Sequence, residues 1–539
     1  MKKERKETGG FMSGVIVLSV STLVVKVLGL AYKIPMMNIL GAEGMGYFNS
    51  AYEIFALLCV IATAGLPVAL SMMVSARYAR RDLYSAKRVY NTALLLFLVF
   101  GALGTVLVEL LGKSIAGYVE NENAFASIVA IAPALLFVCA SSAVRGYYQG
   151  LGRMMPTAIS QLIEVLCKLA LGIAFAYYAL KRGLGVPTAS AYAIAGLVAG
   201  TLLSAIYLFI YKAIDSKRIR EKATQKTAER GIAKQLISIA FPITLGSAVL
   251  SVSKLVDMTL ILKRLSDIGY SSAGANEIYG SYTTLAVPLF SLVPSLVTPI
   301  ALSLVPELCR AVESRDKAAE SNVVSVSMRL TSLFAIPSSI GIAVYSKQIL
   351  GFLFPAQSVA VQIAAPLLRV LAISILFSCM ITTTNAILQA YSQVHKPIIS
   401  VSVGTLVKAV SAYILMGVPS VGVMGAPIST LLCDVTVTAV NLYYVSKYSR
   451  GLDGIKKLYV MPLLSASAMI TVSFAVYLSV IYFGTSESIA LMLAMIAAVV
   501  SYLFFAFVFG AVAKDDVMAM PFGKKLYAVV EKMGARRDK

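Results

Sequence analysis

Fourteen apolar runs, punctuated by glycine, proline and clusters of charge, divide the chain. Each is long enough to cross a bilayer as a helix, because about 20 apolar residues at 1.5 Å rise span a ~30 Å hydrocarbon core. The pattern predicts helices over 12–35, 49–76, 89–111, 124–148, 157–180 and 189–212. It continues with 236–262, 279–306, 322–346, 362–388, 397–417 and 424–446, and closes with 459–483 and 488–512. Pro288, Pro294 and Pro299 make the eighth run the least regular, since proline removes a helix hydrogen bond and crowds the preceding turn. The fold class is all-α and polytopic, with about fourteen transmembrane helices.

The opening run, 12–35, carries Lys26 well inside it and Lys33 near its far end. A lysine at mid-membrane costs roughly 2.5–3.5 kcal/mol on insertion scales, so it needs a partner, a wet cavity or a task. The wording of this run returns: VLSVSTLV at 17–24 is echoed by VLSVSKLV at 249–256, an offset of 232 residues. PVALS at 67–71 matches PIALS at 299–303 at the same offset, and Arg81-Asp82 matches Arg315-Asp316. Further on, Gln149, Pro156 and Lys168 correspond to Gln389, Pro397 and Lys408. Separate matches at nearly one offset indicate a duplication of six spans in parallel orientation.

The repeat predicts an N-lobe of six spans over 1–214, a basic linker over 215–235 and a C-lobe of six spans over 236–448. The last two spans and a tail, 449–539, stand outside it. In a two-lobe bundle of this kind the substrate path is expected between the lobes, with alternating access by rocking.

Composition agrees: 58% of the 539 residues are hydrophobic and 14% charged, where soluble domains carry about 25% charged residues. The net charge is +21, which in a soluble protein would suggest nucleic acid. Here the basic residues crowd short loops between apolar runs, so topology explains them and no nucleic-acid partner is expected. Counted over alternate loops and both ends, roughly 34 Lys/Arg fall on one side and roughly 7 on the other, which puts both termini in the cytoplasm. The largest clusters lie at 77–88, 212–234, 447–457 and 514–539; the second, in the linker, also suits anionic lipid headgroups. The basic start at 2–6 imitates a signal peptide, but the run behind it continues through Lys26 without a clear cleavage site and has an internal echo. It reads as a retained first helix. The six cysteines show no CxxC spacing and His395 is the single histidine, which excludes a multi-histidine metal centre and argues against a disulfide framework.

Charged residues within or bordering the spans are mostly basic, which suits a phosphate, pyrophosphate or carboxylate ligand. Lys26, Lys33, Lys254, Lys263 and Arg264 are the candidate basic cavity residues. Lys26 aligns with Met258, so its charge is not repeated in the second lobe. Lys33, Lys263 and Arg264 are also placed to snorkel to the interface. Lys254 and Asp257 share a helical face, as an internal ion pair or a contact for substrate or coupling ion. Glu53, Asp257, Glu164, Lys168, Lys408 and Asp434 are candidates for ion coupling or internal pairing. Glu164 precedes Lys168 by four residues, the favourable order for a structural pair, and Asp434 could reach Lys408 or a cation. Residues 145–156 read as a cytoplasmic turn, with Pro156 suited to open the next helix.

Three stretches carry a family resemblance: RGYYQG at 145–150, PTAISQLIE at 156–164 and GLPVALS at 65–71. They resemble the polysaccharide transporter branch of the multidrug/oligosaccharidyl-lipid/polysaccharide (MOP) exporter superfamily, and within it the stage V sporulation protein B and Gram-positive lipid II flippase group. The resemblance covers nearly the full length. It implies a fourteen-helix flippase, not an enzyme, moving an undecaprenyl-pyrophosphate-linked glycan such as lipid II from the inner to the outer leaflet of the bacterial cell membrane. The last two helices would contribute a groove for the lipid tail. Partners would be the lipid-linked oligosaccharide, membrane lipids and cell-wall synthesis enzymes, in peptidoglycan biosynthesis or sporulation. No cofactor is implied beyond coupling to membrane potential, Na+ or H+. Gram-negative members have an arginine just before Val-Leu-Gly in the first helix; here Lys26 precedes Val27-Leu28-Gly29, and a second arginine of that pattern falls at Tyr32, beside Lys33. The alternatives are a flippase for another lipid-linked polysaccharide unit and a multidrug/cation antiporter of the same superfamily. A membrane glycosyltransferase would usually need a larger polar loop, and no extracellular loop is long enough.

Overall fold

The structure is a computed structural model that describes residues 2–80, 82–219, 231–449 and 456–511. Arg81, most of the predicted linker, the segment 450–455 and the basic tail from 512 onward lie outside the described residues.

Helix α1 (Lys2–Thr63) runs through Pro35 and is broken at Gly41, whose φ of 70° and ψ of 178° are not helical. A backbone there needs the freedom of glycine. Helix α2 (Leu66–Ala79) resumes after a bend at 64–65. The first membrane-length stretch, Val24–Ala79, is therefore 56 residues long. That is enough for two crossings, and it takes in the second predicted run and the later half of the first. Among the described residues thirteen stretches are long and apolar enough to span. Fourteen predicted runs and thirteen observed stretches differ because the first two join without a loop.

The remaining elements follow the predicted order. In the first repeat come α3 (Leu83–Tyr118), α4 (Phe125–Gly150), α5 (Met155–Lys181) and α6 (Val186–Ile219). Then α7 (Ile232–Asp267), α8 (Ser272–Ser281) and α9 (Val287–Glu313) follow, with a π-helical turn, Tyr282–Ala286, between the last two. Of the prolines expected to disturb this run, Pro288 sits in the first turn of α9 and Pro294 and Pro299 lie inside it, joined by Pro306 and preceded by the π-helical turn. Helix α10 (Lys317–Val344), the short α11 (Ser346–Leu353), α12 (Ser358–Ala390), α13 (His395–Met416) and α14 (Gly425–Tyr448) complete the second repeat. Helices α15 (Met461–Tyr482) and α16 (Glu487–Val508) form the final hairpin.

The repeated Asp82 and Asp316 have one job. Asp82 accepts the amide of Ser85 at 2.9 Å and caps α3; Asp316 accepts those of Ala318 and Ala319 at 3.1 and 3.0 Å and caps α10. A carboxylate there satisfies amides that the helix leaves open.

The chain forms two compact units, Met1–Thr284 and Leu285–Lys539. One core of the first unit gathers Leu70, Phe97, Tyr148, Leu208 and Leu236 from α2, α3, α4, α6 and α7. In the second, Leu308, Met328, Ile387 and Val445 join α9, α10, α12 and α14, while Tyr345, Tyr477 and Leu491 seat the final hairpin. On α16, Met492, Ile496 and Val499 stay exposed, as suits helices whose outer faces meet lipid.

Candidate functional site

The first unit contains a close crossing between α1 and α8. A side chain added at Gly46 would run into the carbonyl of Asn276, and one at Gly280 into the carbonyl of Ala42. Shifting Ala42 and Gly46 by 234 residues gives Asn276 and Gly280, so each contact is the repeat image of the other. Around it lies a buried polar seam. Asn121 and Asn276 each donate their side-chain amide to the other's oxygen at 2.8 and 3.1 Å, and Asn121 also donates to Ser50 Oγ at 2.9 Å. Asn49 donates to the hydroxyls of Thr283 and Thr284, both at 2.9 Å. Buried amides of this kind are costly unless paired, and here they are paired.

Charge gathers next to that seam. Lys33 donates from Nζ to the carbonyl of Thr283 at 3.0 Å, within the π-helical turn. An ammonium has three donors, so this bond anchors the group without exhausting it. Glu53, Lys168 and Lys254 lie within electrostatic reach of Lys33. The ammonium of Lys168 sits 5.4 Å from the ring centre of Tyr32 and 5.0 Å from that of Tyr52, a geometry in which the ring faces attract the cation. Tyr32 is the position where the family pattern has an arginine; here the cation at that point is supplied by α5. Asp257 and Glu53 both act electrostatically on the hydroxyl of Tyr279.

Lys168 of α5, Lys254 of α7 and the carboxylate of Glu53 thus all act on the Lys33 ammonium of α1, and Glu164 acts in turn on Lys168. Like charges repel strongly where the dielectric is low. An anion with more than one charge would relieve that repulsion and take up the remaining donors.

Deeper along α4, Arg145 donates to Ser160 at 2.9 Å, to Glu164 at 2.8 Å and to Ser204 at 3.0 Å. The expected turn begins only at Leu151, because α4 continues to Gly150; Arg145 is a helix residue that ties α4 to α5 and α6. Glu164 is shared: it pairs with Arg145 and also acts electrostatically on Lys168, whose ammonium faces the two rings. In the second unit the equivalent network is neutral. Asn441 donates to Asn385 at 2.8 Å and to Thr384 at 3.0 Å, and Ser400 donates to Asn441 at 2.5 Å. Asn385 and Ser400 each stand 240 residues beyond Arg145 and Ser160.

The other predicted residues are placed as follows. Lys26 is exposed on α1, seven residues before Lys33 and so on the same face. Lys254 is exposed, as is Lys263, while Arg264 pairs with Asp267 at 2.9 Å in the last turn of α7. Lys408 and Asp434 belong to the second unit, on α13 and α14, where Ser378 donates to Asp434 at 2.9 Å. Asn49, Asn121, Asn276 and Tyr52 were not anticipated, since uncharged residues within or between apolar runs give no signal until the helices are packed.

A family model described as polysaccharide biosynthesis protein matches residues 11–312. The chain belongs to this family. A second model, MatE, matches residues 282–414. Among relatives of the polysaccharide biosynthesis family, stage V sporulation protein B of Bacillus subtilis (strain 168) is 26% identical over 528 residues, covering 95% of this chain and 98% of that one. The lipid II flippase MurJ of the same organism is 26% identical over 464 residues, covering 83% and 82%. A solved structure of lipid II flippase MurJ in an inward closed conformation superposes with a TM-score of 0.70 at 16% identity, covering 92% of this chain and 98% of that one. The chain is accordingly a multi-pass membrane transporter of the MOP superfamily and not an enzyme.

Proposed function

We propose that the chain is a flippase that carries an undecaprenyl-pyrophosphate-linked glycan, most directly lipid II, from the inner to the outer leaflet of the bacterial plasma membrane by alternating access. The observation that carries this reading is the approach of Lys168 and Lys254, with Glu53, to Lys33 in the first unit. A pyrophosphate would bring further negative charge and acceptor oxygens to these ammonium groups. A glycan-pyrophosphate head cannot cross hydrocarbon unaided, whereas its polyprenyl tail can remain in lipid while the head passes a basic, wet site. The similarity to a lipid II flippase supports the same substrate class.

Both termini face the cytoplasm in this proposal, from the excess of Lys/Arg on that side. With the inside negative, outward movement of an anion gains ~2.3 kcal/mol per charge per 100 mV. Cation-coupled drug export is a second reading, favoured by Glu53 and Asp257 near the same seam; the ammonium groups beside them would repel a cationic drug. Expression in a bacterium depleted of its own lipid II flippase separates the two. Wild type is expected to restore growth, and Lys33→Ala and Lys168→Ala to fail at equal membrane abundance. Failure of wild type would remove lipid II as substrate; full rescue by both variants would remove the lysines from the mechanism.

A further inference from the structure

A cavity of about 260 Å³ opens in the second unit where α11 meets the first turns of α12 and α16. No residue of the basic group lines it. Helix α11 lies between the spans Lys317–Val344 and Ser358–Ala390, and α16 begins after the turn that follows Leu458–Tyr482. Helices α12 to α15 make four crossings between these two loops, so both lie at the same membrane face. Tyr482, Phe483 and Phe352 are 88%, 81% and 46% exposed in these loops, and aromatic rings exposed at span ends settle at headgroup depth.

The lining carries both signs of charge. Lys347 is exposed at the start of α11, and Glu487, the first residue of α16, is oriented by the hydroxyl of Tyr477 at 3.1 Å. Gln348 also lines the cavity. The volume is that of about nine waters and falls below the ~300–1,000 Å³ of sites for drug-sized ligands. A whole sugar-pyrophosphate head is too large for it; a small headgroup fits.

We propose that this cavity binds the zwitterionic head of a bilayer phospholipid of the phosphoethanolamine class. Its phosphate meets Lys347, and its ammonium meets Glu487. Its acyl chains follow the stripe of Met492, Ile496 and Val499, spaced by four and three residues on α16 and 54%, 59% and 62% exposed. A head with phosphate alone would leave the carboxylate of Glu487 unanswered, which sets the preference for a zwitterion over an anionic lipid.

The test is native mass spectrometry of the full chain taken from vesicles of equal phosphatidylethanolamine and phosphatidylglycerol. Retention of phosphatidylethanolamine over phosphatidylglycerol is expected. Lys347→Ala or Glu487→Gln should lower it roughly tenfold, the scale of one charge-assisted hydrogen bond. The Lys347→Glu/Glu487→Lys swap keeps both charges at the mouth and retains the lipid. Equal retention of the two lipids, unchanged retention in the single variants, or displacement by soluble glycerophosphoethanolamine at lipid concentration would each overturn the proposal. Lipid retention is read without transport, so this proposal and the flippase reading can fail separately.

Discussion

Asn121 and Asn276, 155 residues apart, exchange amide hydrogen bonds of 2.8 and 3.1 Å where the start of α4 meets α8. Both are fully buried, and Ser50 and the carbonyl of Ser272 take their remaining donors. Removing one partner strands the other. Asn121→Ala or Asn276→Ala should each destabilise by about 1–3 kcal/mol, the cost of an unsatisfied buried amide. The double alanine variant should cost little more than either single one. Thermal unfolding of the four proteins in one detergent checks this; strictly additive losses would show that the two amides do not act as a pair.

Arg145 and Glu164 are 15% and 28% exposed and 2.8 Å apart. Glu164→Gln leaves the guanidinium with Ser160 and Ser204 but without its counter-charge. A loss of roughly 1–3 kcal/mol is expected, less than for a fully buried pair because water still reaches both groups. The Arg145→Glu/Glu164→Arg exchange should recover part of it. A single variant as stable as wild type would make the pair dispensable to the fold and place its value in transport.

The amide of Ser85 holds the carboxyl of Asp82 below the usual carboxylate range. A depressed value means that the capping contribution is complete above the unfolded pKa of ~3.9 and fades as pH falls through the lower folded value. The protection of first-turn amides of α3, relative to the unstructured exchange rate, should therefore hold down to about pH 4 and fall below it. Asp82→Ala should remove that step and cost about 0.5–2 kcal/mol. Protection that is unchanged in the variant would dissociate the cap from the helix start.

Hydropathy and the repeat made the helices and their order legible before any coordinates. VLSVS at 17–21 and 249–253, or Arg-Asp at 81–82 and 315–316, could be matched because both copies kept their residue types. What stayed hidden is cross-helix chemistry. Arg145 looked like part of a turn because RGYYQG carries glycines, yet α4 holds those glycines within the helix. Lys168 and Glu164, four residues apart, do interact electrostatically, but the hydrogen bond that Arg145 makes to Glu164 and the rings of Tyr32 and Tyr52 beside Lys168 come from other helices. The seam of Asn49, Asn121 and Asn276 had no periodic or charged signature at all. Such contacts are set by helix rotation and depth, which apolar periodicity does not encode.

The central claim is that Lys33 and Lys168 hold the diphosphate of a lipid-linked glycan during its passage. Flipping of a fluorescent lipid II in proteoliposomes, with and without an imposed potential, tests it most directly. Wild type should flip it, and faster when the face from which substrate leaves is negative, by up to ~2.3 kcal/mol per charge per 100 mV. Lys33→Ala and Lys168→Ala should each be slower by roughly tenfold or more, the loss of one charge-assisted contact. Flipping at the wild-type rate in both variants, indifferent to potential, would contradict the account.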